Sequence, residues 1–290
     1  MVAPSLARMK DYSVTLILLK GPTNWSCVNN LTKASQVTPQ QQQFSADQLN
    51  DHYAFTSTDA GYEAPSLRLT ACHPIPVVSE MTMFNALDRL RPTAEGHDGL
   101  PAWYLRLLAP ICSRSLTHLV NLSVLQSCVP RQWKTAIIYP VPKVQNPSTP
   151  AEYRPISVVS ILSRIVERII VHSYIYPAFL KPPVVENIKD QFAFRPTGST
   201  TAAVIDLLQQ TTTMLLTNDF VVIISLDFTK AFNTIRHQTL LQKMCSLDLP
   251  DHIYNWVVNY FNNRSHITSH QGALSRLVVI NASVIQERII

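Results

Sequence analysis

The stretch that most restricts the fold is Phe220–Asn233, FVVIISLDFTKAFN. Its first six residues, Phe220 to Ser225, are apolar or small and mostly β-branched, which predicts a strand buried on both faces rather than a helix. The run ends on a carboxylate. Asp227 falls where the apolar residues give way to the polar Thr229-Lys230, so the backbone would hold it at a sheet end facing solvent or a ligand. A charge in that place is costly unless compensated, and a divalent cation is one of the few partners strong enough. The same position also suits an Asp that caps a helix starting near Ala231. From these residues alone both readings stand open.

The residues after Asp227 bear on the choice. Small or flexible positions here let backbone N–H groups turn toward an anion, with Lys230 as a local positive charge and Phe232 as a bulky wall. An apolar strand ending in Asp also occurs in P-loop NTPases. Neither GxxxxGK[ST] nor GxGxxG is found among the 290 residues, which removes that competitor.

A chain of this length with 46% hydrophobic residues has enough apolar side chains for a real core, and a net charge of +5 is compatible with a nucleic-acid partner. The five cysteines are scattered and never spaced as CxxC, so a disulfide framework or structural zinc site is not expected, and a reducing compartment is. His266 and His270 have ligand-like i, i+4 spacing, but RSHITSHQG reads as strand or turn, and both are expected at the surface. Val14–Leu19 is too short to cross a bilayer and no signal peptide precedes it, so an intracellular protein of nucleus or cytoplasm, without a membrane partner, is expected.

Along the chain, residues 1–75 read as a partly irregular N-terminal extension, with a polar Thr38–Gln43 link and a short helix within Phe44–Tyr53. Residues 76–134 read as helical. Ser79 caps a helix to about Leu90, with Val78 and Met83 as a staple. Arg91-Pro92 breaks it, and a loop with Gly96 and Gly99 leads to helices at Ala102–Leu108 and Ile111–Gln126. In residues 135–219, Thr135–Val141 is predicted as a strand, placed at a sheet edge by Pro140 and Pro142. Lys143 and Arg154 stand on the two arms of the hairpin that follows, a point charge beside a bidentate fork, as a triphosphate requires. Ile161–Ile170 and a Ser199-capped segment to about Leu216 are predicted helices, as are His237–Leu247 and Asp251–Asn262 within residues 220–290. Arg264–Thr268 and Leu277–Ile285 are predicted as a strand pair.

Several strings then line up in order: EGHDGLPAWYLR, IIYPVPK followed by PAEYRPIS, QFAFRPTGST, LDFTKAFNTIRH and NASVIQ. Over about Phe44–Gln286 the set resembles the reverse transcriptases of non-LTR (LINE-like, jockey-type) retrotransposons. The resemblance implies an α+β fold of the polymerase right-hand type, with helical and hairpin fingers over a palm sheet whose central strand is Val221–Asp227. It implies an RNA-directed DNA polymerase acting on an RNA template, a DNA primer and dNTPs with Mg²⁺ or Mn²⁺. Asp227 would be one of two metal-binding aspartates, and the Phe228 carbonyl would touch the same ion. Phe232 would exclude a ribose 2′-OH, Lys143 and Arg154 would grip the incoming phosphates, and Lys230 and Gln286 would lie on the nucleotide side. Arg195 and Gly198 would face nucleic acid.

This sequence departs from the family pattern at three places: Asn233 stands for the usual Asp, Thr197-Gly198 for Gly-Arg, and Glu287 for the Gly after Gln286. The family's second carboxylate comes from a Tyr-Ala-Asp-Asp hairpin, a string absent from these 290 residues. The expectation is therefore a truncated copy with an incomplete palm, no thumb and no activity alone. The other readings are a non-catalytic nucleic-acid-binding remnant and a fragment with no molecular role.

Overall fold

The architecture follows from how β2, Thr135–Pro142, is shared between neighbours. In a computed structural model that describes residues 12–17, 44–68, 78–195, 198–228, 232 and 235–284, the chain runs in order through β1 (Tyr12–Ile17), α1 (Ala46–Thr56), α2 (Glu80–Asp88), α3 (Ala102–Leu125), β2, β3 (Tyr153–Val158), α4 (Ile161–Ile170), α5 (Tyr176–Phe179), α6 (Val184–Asn187), α7 (Thr200–Leu215), β4 (Ile223–Phe228), α8 (His237–Cys245), α9 (Asp251–Phe261), β5 (Arg264–His270), β6 (Ala273–Leu274) and β7 (Val278–Ile280). The fold is α+β with a mixed sheet. The chain divides into two units, one of residues 1–39 and 182–231, the other of 40–181 and 232–290.

The larger unit holds the five-stranded sheet. β2 pairs antiparallel with β3 on one side and parallel with β5 on the other; β6 and β7 both pair antiparallel with β5. The register explains why a strand with two prolines is not an edge strand, as the sequence had suggested. Pairing with β5 runs only from Thr135 to Ile138, and Pro140 and Pro142 lie beyond it, where β3 is the one neighbour. Proline's missing N–H therefore removes no bond on the β5 side.

α1 covers the sheet because its apolar residues recur at helical spacing. Leu49 and Tyr53 pack with Ile138 of β2 and Tyr153 of β3 in one buried cluster, joined by Phe44. A capping box holds the start of the helix: the Ser45 hydroxyl accepts from Gln48 N, and the Gln48 side-chain oxygen accepts from Ser45 N. Asn50 ties the helix to β5 by accepting from Thr268 Oγ1 at 2.8 Å. α9 is buried along most of its length, and its Asn259 Oδ1 accepts from both Val129 N and Lys134 Nζ at 2.8 Å. Trp256 Nε1 donates to Ser123 of α3.

The expected Ser79 cap is present, with its oxygen accepting from Thr82 N, and Val78 and Met83 are buried. The predicted break between two helices at Pro110 is absent: α3 runs continuously through that proline. Proline deletes one intrahelical bond, and the flanking turns, with Leu105, Ala109 and Ser113 buried, keep the helix whole. The strand pair near the C-terminus is shorter than expected, with β7 pairing Val278–Ile280 to His266–Arg264. Ile285, at the end of the predicted strand, lies outside the described residues, as does the Thr38–Gln43 link.

The smaller unit contains β1, α6, α7 and β4. Among the described residues β4 pairs antiparallel with β1 alone, with Asp227 opposite Ser13. This corrects the reading of Phe220–Ser225 as buried on both faces: Phe220, Val222 and Ile224 are all exposed, as is Leu226, since a two-stranded ribbon offers no layer to cover them. The Ser199 cap on α7 is as expected, the hydroxyl accepting from Ala202 N.

Candidate functional site

The two cations of the hairpin are brought together by strand register. Arg154 lies opposite Val141, and Lys143 N donates to Glu152 O at 2.8 Å, which extends the ladder one step past Pro142. Val141 and Lys143 are two apart and so share a face; Arg154 and Glu152 therefore share it with them. Lys143 and Arg154 are thus diagonal neighbours on one face, a relation that places Cα atoms roughly 7–8 Å apart. Both side chains are exposed. Lys143 Nζ donates to Ala151 O at 2.7 Å, and its charge helps hold the Glu152 carboxyl below its ordinary range, after the larger effect of the Ser148 N–H. The sequence reading had not picked out this lysine–carbonyl contact, which depends on the turn closing at Pro150–Glu152.

Asp227 is exposed near the C-terminal end of β4, in the smaller unit, whereas Lys143 and Arg154 belong to the larger one. The Phe228 backbone closes β4 opposite Tyr12. Lys230, Asn233 and Gln286 lie outside the described residues. Among the described residues no three His, Cys, Asp or Glu side chains converge in one group.

Phe232 is exposed, and its carbonyl accepts from Val284 N at 2.9 Å. This bond fastens the turn after the motif to the segment that precedes Gln286. The loop from Gln191 to Ser199 is built by its own residues: one terminal nitrogen of Arg195 donates to both Ile188 O and Lys189 O at 2.9 Å. Gly198 N donates to Arg195 O, and a side chain at Gly198 would run into the Phe192 carbonyl. Both residues offered for nucleic-acid contact therefore also shape this loop, and the exposed ring of Phe194, at positive φ, stands out from it. His97 and Asp98 are loop residues.

Residues 141–279 match the family described as reverse transcriptase (RNA-dependent DNA polymerase). The segment belongs to the reverse-transcriptase family. This reverse-transcriptase segment begins two residues before Lys143 and includes Arg154, Arg195 and Asp227. The chain is also similar to three Drosophila melanogaster proteins. These are the probable RNA-directed DNA polymerase from transposon BS (29% identical over 161 residues, 54% of this chain and 17% of that protein), the probable one from transposon X-element (27% over 183 residues, 63% and 20%), and the RNA-directed DNA polymerase from mobile element jockey (27% over 194 residues, 67% and 21%). The chain spans about a fifth of the length of these relatives. No described helix is long and apolar enough to cross a membrane.

Proposed function

We propose that this reverse-transcriptase segment supplies the nucleotide-gripping and template-facing part of an RNA-directed DNA polymerase from a non-LTR retrotransposon. The observation that carries the reading is the placing of Lys143 and Arg154 on one face of a hairpin at the start of the matched segment. A point charge and a planar fork at that separation suit the phosphates of a dNTP. Asp227 with the Phe228 carbonyl would hold Mg²⁺ or Mn²⁺, which in this family supplies charge neutralisation at the transferring phosphate. Phe232, Lys230 and Gln286 would bound the sugar and base side of the nucleotide, and Arg195 and Gly198 would face the RNA template and DNA primer through the loop they shape. The right-hand division into fingers and palm, and the domain limits near residues 76, 135 and 220, belong to this proposal.

The test is equilibrium binding of a fluorescent dNTP with Mg²⁺ to the purified chain and to Lys143→Ala and Arg154→Ala. Each lost charge-assisted contact is worth about 1.5–3 kcal/mol, so affinity should fall roughly ten- to a hundredfold. Equal affinity in all three proteins would sink the hairpin assignment. A second reading, a nucleic-acid-binding segment without catalysis, draws on the net charge of +5 and on Arg195 and Lys230, and it needs no second carboxylate.

A further inference from the structure

Between α1 and the sheet of the larger unit lies a small cavity of about 20 Å³, lined among others by Tyr53, Ser57, Ser157, Arg264, His266 and Ser283. Three of these carry buried polar atoms with no hydrogen-bond partner: the Tyr53 hydroxyl, both terminal nitrogens of Arg264, and His266 Nε2. Arg264 is only 3% exposed, and no carboxylate forms an ion pair with it among the described residues. Its guanidinium carbon lies 4.4 Å from the centre of the Tyr260 ring, and both Arg264 and the Glu167 carboxylate act on the Tyr260 hydroxyl, so the cation is compensated in part and indirectly, through that ring, with no carboxylate paired to it directly. The interior near it holds a second cation. Lys134 is buried, takes Asn259 Oδ1 as its partner instead of a carboxylate, and feels the charge of Arg264.

A buried cation that lacks a counter-charge is expensive, by far more than an unpaired neutral group. A buried guanidinium in the wall of a cavity that also holds unused hydrogen-bonding groups describes a place where negative charge is wanted, and the neighbouring charge of Lys134 adds to it. The volume limits what can enter. One water needs about 10–15 Å³ by the same measure, so the space suits a single small species. We propose that this cavity is a binding site for a chloride-sized monovalent anion, with Arg264 as its counter-charge and the Tyr53 hydroxyl as a hydrogen-bond donor. The site lies within one unit, uses none of the nucleotide- or template-facing residues, and stands or falls independently of the polymerase reading.

The test uses the whole chain. Thermal unfolding is followed at constant ionic strength while sodium gluconate is exchanged for sodium chloride. Tm should rise with the logarithm of chloride concentration, because a ligand that binds only the folded state stabilises it by mass action. Arg264→Gln should lose that rise. If this variant does not fold, bromide-soaked crystals of the unaltered protein decide the matter: an anomalous peak within hydrogen-bond reach of Arg264 and Tyr53 supports the site. Identical Tm in gluconate and chloride, with no bromide peak at the cavity, overturns it. A short oligonucleotide displacing the bromide would also overturn it by assigning the cavity to a larger anion.

Discussion

At the scale of single residues, His237 shows how burial turns a side chain into a pH sensor. It has no exposed surface, its Nε2 lies 2.7 Å from Ser283 O, and burial lowers its pKa from 6.5 to about 4. His266 is lowered likewise to about 4, chiefly by burial, which corrects the expectation of two surface histidines; His270 is partly buried and also lowered. The folded chain thus binds fewer protons than the unfolded one between these values. The stability contribution is complete above pH 6.5 and drains away as pH falls toward 4. The gap corresponds to about 3 kcal/mol per histidine. Urea midpoints should therefore drop steeply between pH 6.5 and pH 4.5, and His237→Asn should flatten that slope; an unchanged slope would refute the assignment. Gly96 gives a second prediction at this scale. A Cβ on it would lie 2.5 Å from the Ser160 backbone, where Ser160 caps α4, while Arg164 of α4 bonds Thr93 Oγ1 and Ala94 O of the same loop. Gly96→Ala should cost about 1–3 kcal/mol by forced overpacking, measured as a fall in the urea midpoint.

At the scale of elements, α1 is the clearest case of local signals agreeing with tertiary contacts. It is 11 residues long, too short to stand alone in water, and its stability comes from the face laid on the sheet. Leu49 is fully buried there, so Leu49→Ala should cost about 2–5 kcal/mol. Ser45→Ala, which removes one half of the capping box, should cost about 1 kcal/mol. Equal costs for the two substitutions in denaturant titrations would show that capping, and not packing, holds the helix. The prolines of β2 and α3 teach the opposite lesson. Pro110 predicts a break and Pro140 an edge, yet neither prediction holds, because the penalty of a proline depends on whether its missing N–H had a partner and on what the neighbouring turns bury.

At the scale of the whole molecule, Asp227 is the one aspartate proposed to hold a metal ion, and no Tyr-Ala-Asp-Asp string occurs in the 290 residues. A two-metal site that lacks one carboxylate loses several kcal/mol of transition-state stabilisation, and each ~1.4 kcal/mol is tenfold in rate. The purified chain should give no detectable primer extension on RNA with Mg²⁺ or Mn²⁺; dNTP incorporation abolished by Asp227→Ala would prove a substitute carboxylate, with Asp248 and Asp251 the first to test. Any RNA binding should weaken with salt, given the net charge of +5, and binding equal at 50 and 200 mM salt, concentrations that separate phosphate-contacting proteins by orders of magnitude, would exclude a phosphate-led interface. The sequence by itself determined the family, through motifs in a set order, and most element positions, through caps and apolar spacing that act within a few residues of chain. It also determined that Lys143 and Arg154 sit on adjoining arms, because a hairpin is a local structure. Only the tertiary structure decided that β2 is flanked on both sides as far as Ile138, that β4 has exposed side chains, and that Tyr53, Arg264 and His266 meet at one cavity. Those outcomes depend on pairing between segments more than a hundred residues apart, such as Thr135 with Ser265, and no local pattern carries the free energy of a contact made at that distance.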